Sequence, residues 1–178
     1  MSTLFILNAS NLFVGDHDPT NSKHLSLMEL KLPDLQEIYQ DHHAGGARVQ
    51  IEIEVGVQKM EPTFKLVGFD PALLAEFGLG SKIKNIFTAY GEIIDRRTGQ
   101  SLEIKAIMEG RLGKVAPDAH QRGEVAANEY AINEMSHYEV WWNGQEKILW
   151  DFWTNTWRID GVDQNEATNR ILRVPRAG

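Results

Sequence analysis

The chain is predicted to be mainly β, a small β-sandwich or barrel with one short helix between strands and another near the C-terminus. Alternating runs dominate: in "ARVQIEIEV", Val49, Ile51, Ile53 and Val55 share one side, and Arg48, Gln50, Glu52 and Glu54 the other, the two-residue repeat of a strand. Turn signals separate these runs at Ala44-Gly45-Gly46, Thr98-Gly99 and Asn143-Gly144. Only two stretches carry helix start and stop signals.

Taken in order, strand signals open the chain, and after "NLFVGD" comes the loop "HDPTNSKH". In "LSLMELKLP" Leu25 and Leu27 keep one phase and Met28, Leu30 and Leu32 the other, so a β-bulge is expected there, with Pro33 ending the run. The strand Arg48–Val55 is expected to bury its apolar side in the core and to form a hairpin with Thr63–Phe69. "FDPALLAEFGLG" reads as a helix over about 70–79. Asp70 suits the N-cap, Pro71 the first turn and Gly78 or Gly80 the stop, with Leu73, Leu74 and Phe77 as the buried stripe.

"NIFTAYGEIID" and "SLEIKAIMEGRL" flank "RRTGQ" as a second hairpin, and "KVAPDAHQRG" reads as a loop. Residues 124–142 read as one long strand ending in the hairpin turn Asn143-Gly144, from which "EKILWDFW" returns. The second helix is expected over about 163–172, with Asp163 and Glu166 spaced as a capping box and Pro175 beyond its end. No linker, repeat or low-complexity tract interrupts residues 1–178, so one domain is expected.

The 178 residues are 42% hydrophobic and 24% charged, enough for a packed core. Eighteen basic against 25 acidic residues give a net charge of −7, which disfavours sequence-independent binding to nucleic acid. The absence of cysteine excludes disulfides and thiolate metal sites. The apolar run Leu4–Leu7 is too short for a signal peptide, and no segment approaches a membrane helix, so a cytosolic start without membrane insertion is expected.

No signed active site emerges, and no enzyme activity or cofactor is expected. Glu52 with Glu54, and Glu103 with Glu109, share strand faces, but nothing marks the apolar pocket that a carboxylate pair needs for glycoside cleavage. "DHD" at 16–18 and "DHH" at 41–43 lack metal-site spacing and read as loop residues, so no metal is expected. "GLGSK" lacks the Gly-Lys-Ser/Thr of a phosphate loop. All five tryptophans, Trp141, Trp142, Trp150, Trp153 and Trp157, fall within seventeen residues. They are read as filling the core and a subunit interface, with Trp142 and Trp150 as near cross-strand neighbours. A sugar-stacking platform is the alternative.

Read together, the motifs are familiar. "NLF", "LKLPDL", Tyr39, "AGG" at 44–46, Gly56, "ME" at 60–61, Phe64 and Gly68 occur in that order, followed by "HYEVWWNGQE" and "IDGVDQNEATNRIL". Over nearly the whole chain this resembles the major tail tube protein of contractile-tailed bacteriophages and related phage-tail-like bacteriocins. The bulky stretch 150–157 and the tail "RVPRAG" depart from the usual pattern.

The resemblance implies a structural virion protein, assembled in the bacterial host cytoplasm, that forms homo-hexameric rings stacked into a tube. Sheets of neighbouring subunits would join into a central barrel, which would also cover exposed strand edges. Expected partners are the sheath protein, a tape-measure protein in the lumen, the baseplate hub, the tail terminator, and genomic DNA in transit without specific binding. Glu52, Glu54, Glu103 and Glu109 would then line the channel and repel passing phosphates. The segment around Gly45, Gly46 and Arg48 would be the ring-stacking hairpin. The competing readings are a carbohydrate-binding β-sandwich module, which accounts for the tryptophans but not for the motif order, and a glycoside-cleaving sandwich.

Overall fold

A computed structural model describes residues 3–78, 84–119, 122–123 and 125–174. The strands are β1 (Phe5–Val14), β2 (Leu27–Lys31), β3 (Glu37–His42), β4 (Ile51–Val57), β5 (Thr63–Val67), β6 (Asn85–Asp95), β7 (Ser101–Pro117), β8 (Ala127–Trp142), β9 (Gln145–Asp151), β10 (Thr156–Ile159) and β11 (Val162–Asp163). Among the described residues the helices are α1 (Pro71–Ala75) and α2 (Glu166–Leu172), with a 3-10 turn at Pro19–Asn21. The mainly β expectation holds.

The main sheet runs β1-β6-β7-β8-β9-β10-β11, and β5 pairs with both β8 and β2. β7 and β8 hold it together because they are long enough to serve two regions. Ile104–Glu109 lies along His137–Trp142, while Lys114–Pro117 lies along Asn128–Ala131. Between those regions β8 bends, with Glu134 at φ 50° and ladder register shifts on either side. The bend folds β5 and β2 over the inner face of β6 and β7.

The enclosed core is Leu12, Phe64, Leu66, Phe87, Met108, Leu112, Tyr130, Ile132 and Tyr138, all essentially without solvent contact. Phe64 stacks on Tyr130 with ring centres 5.0 Å apart and meets Phe87 at 6.1 Å. Each such side chain stabilises the fold by about 1.5–3 kcal/mol. Small residues permit the close approaches. A Cβ on Gly110 would lie 2.7 Å from Ile132 Cγ2 and 2.8 Å from the Asn133 carbonyl oxygen.

Several local expectations are met. The ladder of β2 against β5 shifts between Leu27 and Glu29, which is the bulge anticipated at Met28. β6 and β7 form the second hairpin, with Gly99 at φ 74°, and Asn143 and Gly144 turn β8 into β9 at φ 46° and 80°. Asp70 caps α1, accepting a hydrogen bond from the Leu73 amide at 3.0 Å, and Pro71 opens the helix.

Others need correction. β4 does not pair with β5; it pairs with β3, and those two strands form a sheet of their own. β3 was not anticipated, because "EIYQDH" has no half-buried pattern and all six residues are exposed. The apolar side of β4 does not enter the core: Ile51, Ile53 and Val55 are 57%, 44% and 54% exposed, and Val49 just before it 73%. Strand periodicity reveals that a face is apolar, not what covers it.

α1 is a shorter helix than expected. It ends at Ala75 with Glu76 as C-cap, before Gly78, and of its expected stripe only Leu73 is buried while Leu74 and Phe77 face solvent. Gly80 lies outside the described residues. α2 starts at Glu166 with Asn165 as N-cap, and the Asp163/Glu166 capping box does not form. Asp163 Oδ1 instead accepts from the Asn165 amide at 2.9 Å, a tight turn that delays the helix by two residues. Pro175 lies outside the described residues. The expected loop from Lys114 is strand as far as Pro117, and the long strand expected over 124–142 spans Ala127–Trp142, Glu124 lying outside the described residues.

Candidate functional site: two acidic faces and an open apolar hairpin

The β3–β4 hairpin is the least usual part of the molecule. Every residue from Asp34 to Val55 is exposed. Register places Tyr39 opposite Glu54 and Asp41 opposite Glu52, so these side chains and Glu37 share one face. The other face carries Ile38, Gln40, His42, Ile51 and Ile53. The Tyr39 hydroxyl donates to Glu37, and that bond, with the charges of Glu37, Glu52 and Glu54, pushes the phenol pKa up. At the tip Gly45 and Gly46 make the turn closed by the Ala47 amide donating to the Ala44 carbonyl at 3.0 Å, and Arg48 is exposed just beyond it.

The second acidic face lies on the outer side of β6–β9. Alternation along β7 puts Glu103 and Glu109 on one side, and register adds Glu92 beside Glu103 and His137 beside Glu109. Glu139 and Asp151 complete the set that sequence reading did not single out. Glu92 accepts from Ser101 Oγ and Asn8 Nδ2, both at 2.7 Å, and these bonds hold its carboxyl below the usual range. Glu103 is exposed beside an open depression of 540 Å³. Glu109 is half-buried and accepts from Ser136 Oγ at 3.0 Å. Thus Glu103 and Glu109 share a face, while Glu52 and Glu54 sit on a different sheet.

An apolar groove of 450 Å³ lies at the seam between β1 and β2, lined mainly by Leu7, Met28, Leu30, Leu32, Ile93 and Ile104. Above it β1 ends the main sheet with Phe5, Ile6 and Leu7 exposed at 46%, 38% and 58%. A long apolar strand at a sheet edge is a surface that pairs with another chain.

The tryptophans separate. Trp150 packs against the core, and its cross-strand partners are Tyr138 and Trp157, not Trp142. Trp142 meets Phe5 edge-on at 5.3 Å. Trp141 lies under the Lys105 ammonium at 5.2 Å and donates its indole N–H to Glu139 at 2.6 Å. Trp157 is half-buried; Trp153 is 69% exposed beside Phe152. A stacking platform needs several exposed rings on one face, and this arrangement does not supply them. Asp18 and Asp16 serve the Pro19–Asn21 turn, and among the described residues no group of three or more acidic or histidine side chains is placed to hold a metal.

The model of the family described as phage tail tube protein FII matches residues 6–172. No curated protein sequence matches the chain. Solved structures of similar fold include a chain of the sheath–tube complex of an extracellular contractile injection system (PVC) in its extended state. It has TM-score 0.54 and 10% identity over 75% of this chain and 88% of that one. A chain of the anti-feeding prophage baseplate gives TM-score 0.55 at 10% identity, covering 79% and 97%. A chain of the PVC sheath/tube terminator gives 0.52 at 12%, covering 75% and 92%. At these identities the likeness is one of fold; the family match spans almost the whole sequence, and on that ground the chain belongs to the phage tail tube protein FII family.

Proposed function

We propose that six copies of this tail tube protein close into a ring, and that rings stack into the inner tube of a contractile tail. A tail tube protein is a structural component of the virion, not an enzyme. The observation that carries the proposal is the β3–β4 hairpin, whose apolar face no part of the described chain covers. About half of each of Ile51, Ile53 and Val55 is left to cover, so burying them would stabilise an assembly by roughly 1 kcal/mol per side chain. The apolar groove at the β1–β2 seam, in a copy in the adjacent ring, is the complementary surface. Gly45, Gly46 and Arg48 form the tip of that stacking hairpin. The exposed edge of β1 joins the sheet of the next subunit within a ring, which removes an otherwise adhesive edge.

With its apolar face seated, the hairpin turns Glu52 and Glu54 toward the bore, where Glu103 and Glu109 add to the lining. Six-fold repetition makes rings of negative charge, and phosphates pass without a binding site. Trp153 and the partly covered Trp141, Trp142, Trp150 and Trp157 divide between subunit interface and core. Known chains of this fold come from sheath–tube, terminator and baseplate assemblies, which supports a sheath outside the tube and a baseplate hub and terminator at its ends. A tape-measure protein fills the lumen before genome passage, and assembly takes place in the host cytoplasm.

Negative-stain microscopy of concentrated protein, with and without a baseplate to nucleate growth, tests the assembly: hollow tubes with six-fold end views are expected, and particles that stay single under both conditions refute it. For the lining, Glu52→Lys with Glu54→Lys is expected to give tubes that assemble but eject DNA poorly. Normal infectivity of that double variant removes these two residues from the bore.

A further inference from the structure

His137 sits where β8 meets β9, with both ring nitrogens engaged by carboxylates. Nδ1 is 2.9 Å from Asp151 Oδ2 and Nε2 is 2.8 Å from Glu139 Oε1. A neutral imidazole has only one N–H, so one nitrogen would then aim a lone pair at an anion. Only the imidazolium satisfies both contacts. The carboxylates are themselves fixed by neutral donors: Glu139 Oε2 accepts from the Trp141 indole, and Asp151 Oδ1 accepts from the Thr154 amide at 2.8 Å and hydroxyl at 2.9 Å. All three side chains are about four-fifths buried, at 21%, 17% and 21% exposure for His137, Glu139 and Asp151.

The surroundings favour the cation. On β7 the register partner of His137 is Glu109, another carboxylate, engaged by Ser136. On β10 the nearby cation is Arg158, already paired with Glu146 through two bonds of 3.0 and 2.9 Å. Lys105 on β7 is turned over Trp141. Three carboxylates therefore surround His137; Lys105 is turned to Trp141, and Arg158 is bonded to Glu146 while also sharing the charge of Glu139.

We propose that Glu139, His137 and Asp151 form a proton-dependent clasp that fastens the β9–β10 turn to β8. The turn is Asp151 to Thr156, and it presents the exposed pair Phe152 and Trp153. Protonated His137 locks Asp151 and, through it, Thr154. Loss of the proton leaves one carboxylate facing a lone pair and loosens the turn, which the Phe152 amide donating to the Ser136 carbonyl at 2.9 Å and Lys84 over the Trp153 ring at 5.6 Å continue to hold. Burial alone would lower the His137 pKa, but hydrogen bonds and charge from Asp151 and Glu139 outweigh it and raise the value. A group with a raised folded-state pKa contributes fully below its ordinary value, and the contribution is lost as pH climbs through the folded value. The clasp is closed below the ordinary imidazole value and opens as pH rises through the raised His137 value.

Two measurements on the purified chain test this, with His137→Gln, Glu139→Gln and Asp151→Asn as variants. Imidazole signals of the six histidines are titrated by NMR, and the His137 signal is the one that His137→Gln removes. It is expected to titrate above 6.5, the ordinary imidazole value, with each single carboxylate variant bringing it down. Amide exchange over residues 151–156, corrected for its intrinsic pH dependence, is expected to rise in a step at that same pH in the wild type. In His137→Gln the exchange is faster than in the protonated wild type and shows no step. A His137 titration at or below 6.5 overturns the proposal, and so does exchange that shows no step in the wild type. Should His137→Gln fail to fold, the two carboxylate variants carry the same comparison.

Discussion

Asp70 shows how much can rest on one residue. It caps α1 and also receives the ammonium of Lys23, a side chain only 10% exposed. Burial raises the Asp70 pKa, but the hydrogen bond from Lys23, the Leu73 and Ala72 amides and the lysine charge overcome it and leave the value lowered. Its stabilising contribution is therefore present above the ordinary carboxylate pKa and lost as pH falls through the depressed one. Asp70→Ala leaves a buried cation unpaired and an uncapped helix, and is expected to cost about 3 kcal/mol in urea unfolding at neutral pH. The deficit relative to wild type should shrink in acid. The cap was legible because Asp-Pro before an apolar stretch is a local signal. The pairing with Lys23, 47 positions away, was not, since it depends on where the β1–β2 loop lands.

Among the elements, β7 and β8 are the frame, and their crossing tolerates little extra volume. Gly110→Ala would drive a methyl group into Ile132 and the Asn133 carbonyl. A loss of roughly 1–3 kcal/mol in unfolding free energy is expected. The β3–β4 hairpin should behave in the opposite way. Ile51→Ser with Ile53→Ser removes no contact to the core, so the thermal midpoint of the free subunit should hardly move, a change of about 0.5 kcal/mol or less. Tube formation by the same variant, read by sedimentation, is expected to be lost. Alternation identified β4 correctly as a strand with one apolar and one acidic side. Its partner was misjudged because β3, though adjacent, has no apolar stripe to announce it, while Thr63–Val67 has a strong one.

Across the whole molecule, exposed apolar groups lie along β1, at the β1–β2 seam and along the hairpin. These are surfaces that a solitary soluble chain would cover. The acidic side chains proposed for the bore divide between the hairpin and the outer face of β6–β9, and register alone unites Glu92, Glu103, Glu109, Glu139 and Asp151. The family is legible because its motifs hold their order from the N-terminal third to "IDGVDQNEATNRIL".

Features readable from the residues in order are local or cumulative: strand periodicity, the turns at Gly99 and Asn143-Gly144, the bulge at Met28, the Asp70 cap, and the ordered motifs. Each is set by a few neighbouring residues, by backbone sterics and by side-chain alternation. Tertiary structure alone decided which strand paired with β4, that its apolar face remained open, and that His137 met carboxylates from two strands. Those outcomes depend on register and chain reversal between distant segments, and a one-residue slip exchanges the two faces of a strand.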